Sequence, residues 1–284
     1  WDSFEQSNHN ILDVLRLYES INMSFIDFYK LVGKISPRFY TVASSNNYRP
    51  SKLEIVISLV NFNHSIAKSS EKRLGLTSKY YHSMNENFAF SENIEKQLTS
   101  TRVISRESGF KLPNNPHTPI IMICTGTGIA PYISFLQEMK AVNIQRETLL
   151  LFGSKNLECD FIYKEELTGF IKEGYLKRLV AIFSRDNTAI IGNSSKYSET
   201  KGDVEEESSF DKVVFDKKTR YVQDLLEDKK DILEKMLVSE QGSLFVCGGV
   251  DMGNDVVKTL ENLLSVSFMK KLTNEKRLFK ELWG

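Results

Sequence analysis

Apolar residues recur at intervals of three and four along the first stretch of the chain: Ile11, Leu12, Leu15 and Tyr18, then Phe25, Phe28, Tyr29 and Val32. Each set falls on one face at 3.6 residues per turn, so residues 9–33 are predicted to form a helical hairpin packed on the segment after it. From Arg38 the period drops to two. The runs FYTVA (39–43) and LEIVISLV (53–60), separated by the turn-rich SSNNYRPS (44–51), read as antiparallel strands. Beyond LPNNPHTP (112–119) the texture changes again, to short apolar runs alternating with helical patterns. Strands are predicted at 120–123, 148–152, 179–183 and 243–246, and helices from 131, at 163–171, at 221–239 and at 252–265. Repeated β-α units of this kind mean a mostly parallel, doubly wound sheet, which makes the stretch 112–119 the domain boundary. One segment breaks the rhythm. GNSSKYSETKGDVEEESS (192–209) is polar, acidic and nearly free of large apolar residues, so 190–212 is expected to be an exposed, mobile insertion.

Composition narrows the function classes. The 284 residues include 37 basic and 37 acidic ones, a formal net charge of zero, which removes the electrostatic case for nucleic acid as a partner. Three widely spaced cysteines, Cys124, Cys159 and Cys247, disfavour a disulfide framework and a zinc site, and suggest a reducing compartment. No run approaches the ~18 apolar residues of a membrane span, and the chain starts at Trp1 without a signal peptide, as expected of a piece of a longer protein.

The chemistry-bearing pattern begins with CTGTGIAPYISF (124–135). Gly126 and Gly128 follow an apolar strand and precede an amphipathic helix, so backbone N–H groups and the positive end of a helix dipole can approach a phosphate there. Pro131 suits the first helical turn, and the absence of a following Lys-Ser/Thr pair argues against a P-loop nucleotidase. Upstream, RFYT (38–41) places Arg38 and Tyr40 on one face of a strand, and RLGLTS (73–78) supplies a second small-residue turn leading into Lys79, Tyr80 and Tyr81. These are the parts needed to hold a pyrophosphate and stack an aromatic ring.

RFYTVASS (38–45), GLTS (75–78), CTGTGIAP (124–131), FGS (152–154), FIYKEEL (161–167), FSRD (183–186), YVQDL (221–225), FVCGG (245–249) and RLFKELW (277–283) occur in one order. In that order and spacing they resemble the FAD/NADPH half of the diflavin reductases. That family includes NADPH-cytochrome P-450 reductase, the sulfite reductase flavoprotein and the C-terminal module of pyruvate:NADP+ oxidoreductases. The resemblance implies the ferredoxin-NADP+ reductase fold. Residues 1–36 would be a helical remnant of a connecting region, 37–115 an incomplete antiparallel FAD-binding β-barrel, and 116–284 an NADP-binding α/β domain. It implies hydride transfer from NADPH to FAD, then single electrons to a flavodoxin-like FMN domain outside this chain and on to a haem or other redox acceptor. The location implied is cytoplasmic, with a parent protein open to anchoring by a segment not present here.

The same resemblance assigns roles. Arg38 would neutralise the FAD pyrophosphate, Tyr40 pack on the flavin and Thr41 approach its N5, with Gly75, Leu76, Thr77 and Ser78 closing on the pyrophosphate. Gly126, Thr127 and Gly128 would cradle the NADP pyrophosphate. Ser184 and Arg185 would take the 2′-phosphate, with Tyr221 and Gln223 completing that pocket. Cys247 would lie beside the nicotinamide, Glu281 stand where the family has aspartate, and Trp283 stack over the isoalloxazine. The family's aspartate after the first glycine of FVCGG is Gly249 here, with Asp251 as its substitute. Two other readings share parts of this pattern: a single-flavin ferredoxin- or flavohaemoglobin-type NADP reductase, and a nucleotide-binding module without catalysis. The helical hairpin before RFYT speaks against the first, and the combination of Arg38, Tyr40, Arg185, Cys247 and Trp283 against the second.

Overall fold

The computed structural model describes residues 10–66, 69–89, 103–106, 108–197, 210–214 and 220–284. Residues 198–209, most of the expected insertion, and residues 1–9 of the expected N-terminal remnant lie outside the described residues. The chain divides into two compact units, one comprising Trp1–Tyr40 with Ile57–Ile104, the other Thr41–Val56 with Ser105–Gly284.

In the first unit, both predicted helices form, α1 at Ile11–Leu17 and α2 at Phe25–Val32. Asn10 caps α1 by accepting from the N–H groups of Leu12 and Asp13, while the Asp13 carboxylate takes the Asn10 N–H at 2.9 Å. Such a reciprocal cap is worth about 0.5–2 kcal/mol. Asp13 is buried, and Arg73 Nη1 donates to its Oδ2 at 2.9 Å, which ties α1 to the strand Ser69–Leu74. Helix α2 has no buried residue, so the expected packing of the whole hairpin is met by α1 alone among the described residues. Two antiparallel strands come next, β1 at Asn61–Ile66 and β2 at Ser69–Leu74, paired from Asn61↔Leu74 to Ile66↔Ser69. Gly75 then turns the chain into α3, Leu76–Ala89.

The second unit is built on a seven-stranded sheet in the order β7-β6-β5-β4-β3-β8-β9. Its strands are β3 Ile120–Thr125, β4 Thr148–Ser154, β5 Arg178–Phe183, β6 Thr188–Asn193, β7 Asp211–Val214, β8 Ser243–Gly249 and β9 Leu278–Trp283. Strands β3, β4, β5, β8 and β9 run parallel to one another. β6 and β7 extend the sheet antiparallel, so the two ends of the predicted insertion, 190–193 and 211–212, are strand rather than loop. Helices α4 (Ala130–Ala141) and α5 (Lys164–Lys172) contribute to the core on one face. A run of short helical turns through 222–239, α6 (Val250–Leu264) and α7 (Val266–Asn274) cover the other. Alternation along β3 sends Ile120, Met122 and Cys124 into the first core and Ile121 and Ile123 into the second, as a strand buried on both faces requires. The predicted strands at 39–43 and 53–60 appear only as the isolated antiparallel bridge Val42↔Ile55, because the intervening turn closes on itself through side chains instead.

The first core includes an aromatic cluster at Phe245, whose ring stacks on Phe279 at 4.7 Å and meets Phe110 and Phe135 edge-on at 5.2 Å each. Phe245→Ala is expected to lower the unfolding free energy of this unit by roughly 3–5 kcal/mol. Phe25→Ala, on a ring that is 79% exposed, should stay within about 0.5 kcal/mol of wild type in the same urea titration.

Candidate functional site

Strand order fixes where a ligand can enter. From β3 the chain moves outward through β4 and β5, whereas β8 and β9 lie on its other side, so the crossovers diverge between β3 and β8. A crevice outside the carboxyl ends of the strands at such a switch point is the usual ligand site of open α/β sheets. Three strand ends converge there without side chains. A β-carbon on Gly128 would overlap the carbonyl oxygen of Cys247, lie 2.8 Å from its carbonyl carbon, and sit 3.3 Å from Cys124 Cβ. One on Gly153 would sit 2.9 Å from Thr125 Cγ2, and one on Gly248 2.9 Å from Thr125 Oγ1. Gly126 turns the chain with φ +53° and has open space beside it. The result is a bare backbone surface holding Gly126, Thr127 and Gly128, with two helices starting at it: α4 after the Gly126–Ile129 turn and α6 capped by Gly249. Two helix N-termini and close-packed glycines provide N–H donors and positive potential, which suit the pyrophosphate of a dinucleotide.

The register across the sheet assembles the next group. Cys124 pairs with Cys247, Cys247 with Glu281, and Gly249 with Trp283. A parallel strand from the end of the chain thus places Glu281 beside Cys247 and Trp283 at the strand end. Cys247 is fully buried, and burial, then the charge of Glu281, pushes its thiol far above the usual range. Cys124 shifts the same way, by burial and by Cys247. Glu281 Oε2 is buried with no hydrogen-bond partner among the described residues, an acceptor left open at the edge of this row. Tyr132 packs under the same row, its hydroxyl donating to the Ile123 carbonyl at 3.0 Å. Its burial was legible as helix periodicity, but its proximity to the cysteines comes only from the fold. Trp283 is 42% exposed.

Ser184 and Arg185 follow β5 on the same edge. Their N–H groups bond the carbonyls of Ser154 and Lys155 at 3.0 and 2.8 Å, which holds the backbone of the pair while Arg185 is exposed and has no ion-pair partner among the described residues. The adjacent carboxylate, Asp186, is engaged by Asn156 Nδ2 and the Leu157 N–H. It braces the loop after β4, with Arg185 exposed beside it. Tyr221 is exposed, Gln223 reaches Asp255 at 3.4 Å, and Asp251 lies exposed in the first turn of α6.

In the first unit, Arg38 is exposed, its guanidinium donating to the Ser36 carbonyl at 2.6 Å, and Tyr40 is partly exposed. Gly75 donates to the Val60 carbonyl, and the N–H groups of Leu76, Thr77 and Ser78 form the first turn of α3, with no acceptor among the described residues. Ser78 is buried and its hydroxyl is already committed, accepting from the Val60 N–H at 2.9 Å and donating to the Ser58 carbonyl at 3.3 Å. Its side chain therefore shapes this turn, while the backbone donors remain for an anion. Thr41 belongs to the second unit. The donor sets fit both cofactors: a cation and a helix N-terminus for a flavin dinucleotide in one unit, a glycine cradle beside an open carboxylate and a buried thiol for a nicotinamide dinucleotide in the other.

Comparison with known proteins agrees with this arrangement. The FAD binding domain family matches residues 2–80 and the oxidoreductase NAD-binding domain family matches residues 122–195. The chain is 27% identical over 288 residues to NADPH oxidoreductase A of Dictyostelium discoideum, covering 97% of this chain and 38% of that protein. It is 28% identical over 294 residues to NADPH–cytochrome P450 reductase of Mus musculus, covering 98% and 38%. The Drosophila melanogaster reductase is 27% identical over 290 residues, covering 97% and 37%. The chain thus spans well under half the length of the curated relatives it matches. An FAD-binding domain followed by an NAD-binding one on a ferredoxin-NADP+ reductase-like fold, with relatives of this kind along nearly all its length, supports the FAD/NADP module of a diflavin reductase as what this chain resembles.

Proposed function

We propose that this chain transfers a hydride from NADPH to FAD, and that the full-length protein passes single electrons to a flavodoxin-like FMN domain and on to a haem or other redox acceptor. The observation that carries the reading is the convergence at the β3/β8 switch point: Gly128 with no room for a β-carbon against Cys247, and β9 delivering Glu281 and Trp283 alongside. Bound FAD supplies the chemistry that side chains lack, accepting a hydride and releasing electrons one at a time.

The residues of the chain bind, orient and exclude water. Gly126, Thr127 and Gly128 with the start of α4 hold the nicotinamide dinucleotide's pyrophosphate, and Arg185 with Ser184 takes the 2′-phosphate; Tyr221 and Gln223 border that pocket. Arg38 and the first turn of α3 hold the flavin pyrophosphate, with Tyr40 and Thr41 on the ring. Cys247 contributes a small, uncharged wall beside the nicotinamide, because burial keeps its thiol protonated. Glu281 Oε2 is an acceptor for that thiol or for the positive ring of the oxidised nicotinamide. Trp283 covers the ring and keeps water away until the nicotinamide enters, and Asp251 adds negative charge at the mouth of the crevice. Free cysteines at 124, 159 and 247 support a reducing, cytoplasmic setting, and no helix among the described residues is long and apolar enough to cross a membrane.

An anaerobic titration of the FAD-loaded protein with NADPH is expected to bleach the oxidised-flavin absorbance, with NADH far less effective; absence of bleaching overturns the reading. Arg185→Ala should weaken NADPH binding by about 1.5–3 kcal/mol, roughly ten- to a hundredfold, and leave NADH within about twofold. Equal losses for both would place the 2′-phosphate elsewhere. The thiol makes a separate prediction. An unfolded cysteine ionises near pH ~8.5 whereas Cys247 stays neutral when folded, so rising pH stabilises the unfolded chain only, and stability falls above that pH. At about pH 9, iodoacetamide should label exposed Cys159 in the native protein and spare Cys124 and Cys247, as read by peptide mass spectrometry.

A further inference from the structure

The strand expected to face the flavin continues into the nucleotide unit. Residues 41–56 form a closed loop there: Val42 bridges Ile55, the Ala43 N–H donates to the Glu54 carbonyl at 2.7 Å, and Ser44 Oγ accepts the Glu54 N–H at 3.0 Å while donating to the Lys52 carbonyl. Arg49 pairs with Glu54 across it. The loop is fastened to one face of α4. Ser134 Oγ donates to the Ser44 carbonyl at 3.1 Å, and Gln137 Oε1 accepts the Ser45 N–H at 3.0 Å. Glu138 accepts twice, from Ser45 Oγ at 2.5 Å and from Asn47 Nδ2 at 2.8 Å. Positions 134, 137 and 138 are neighbours on a helix surface, so three consecutive contacts come from a single stripe. Ala43, Ser45 and Gln137 are buried, and the amide of Gln137 in that setting is costly unless bonded.

The other end of α4 is the Gly126–Gly128 turn. One twelve-residue helix, about 18 Å long, therefore ends at the nucleotide cradle and carries on its side the loop that begins with Thr41. Resting on the reductase reading, we propose that Gln137 and Glu138 are positioning residues for hydride transfer. They touch neither cofactor. By locking the 43–47 turn to α4 they fix Thr41, two residues before Ala43, relative to the cradle. A displacement of about 1 Å between reacting groups is enough to cost a hundredfold in rate, so this attachment is expected to govern transfer more than binding.

The test uses Gln137→Met, which keeps length and removes the acceptor, Glu138→Ala, and the conservative Glu138→Gln. In stopped-flow reduction of the FAD-loaded chain by NADPH, the first two are expected to lower the limiting rate at least tenfold. NADP+ affinity and retained FAD should stay within about twofold, and Glu138→Gln should fall less than threefold. Hydrogen exchange of the apo protein provides a readout without cofactor: amides 43–47 should exchange at least tenfold faster in the first two variants, with those of β3 unchanged. Unchanged limiting rates, unchanged exchange, or NADP+ binding lost in proportion to rate would each overturn the positioning role. Failure of the wild type itself to bleach with NADPH would overturn the reductase reading and the transfer role with it, whereas a bleaching wild type with variants of equal rate overturns the positioning role alone.

Discussion

At the edge of the sheet the backbone of residue 128 runs so close to the carbonyl of Cys247 that a β-carbon has no place between them. Because the obstacle is backbone hydrogen-bonded into β8, it cannot swing aside as a side chain would, and only glycine permits the approach. That contact sets the start of α4 against the end of β8, and α4 in turn carries both the nucleotide cradle and the loop that follows the flavin strand. Gly248, pressed on Thr125 from the opposite side, completes the bare surface. Positive potential for phosphate, exclusion of side chains and the nearness of Cys247 are consequences of one close approach.

The parallel sheet amplifies this. Cys247 and Glu281 are far apart in the chain but adjacent in register, since β9 returns parallel to β8. Burial on both faces raises the thiol of Cys247, and the nearby carboxylate raises it further, so the wall beside the crevice stays neutral. Glu281 keeps a buried acceptor oxygen with no hydrogen-bond partner among the described residues in the same row.

Much of the second unit was legible from hydrophobic pattern, because β3, β4, β5 and β8 are short, fully apolar runs between helical segments. The edge strands were not. β6 ends at Asn193 and runs into a polar segment, so its pairing with β5 is hidden from periodicity, and β1 and β2 carry so many polar residues that no apolar alternation marks them as strands. The helix read at 221–239 is broken into short turns near Lys229, whose φ of −112° leaves the helical region. At the site, the glycines announced themselves by spacing, whereas the pairing of Cys247 with Glu281 came from resemblance and is explained by register. The commitment of Ser78 to the 58–60 backbone and the hold of Gln137 and Glu138 on residues 44–47 had no sequence signal, since each polar residue reads as surface until its partner is placed.

In the proposed function, the β3/β8 switch point holds the nicotinamide dinucleotide. With 15 glycines in the chain, [15N]glycine labelling gives a spectrum in which each amide can be followed on addition of NADP+. Shifts confined to Gly126, Gly128, Gly248 and Gly249, with Gly33, Gly109, Gly174 and Gly242 unmoved, are the result predicted. Shifts centred on the second group, or no shift at the switch-point glycines under saturating NADP+, would contradict it.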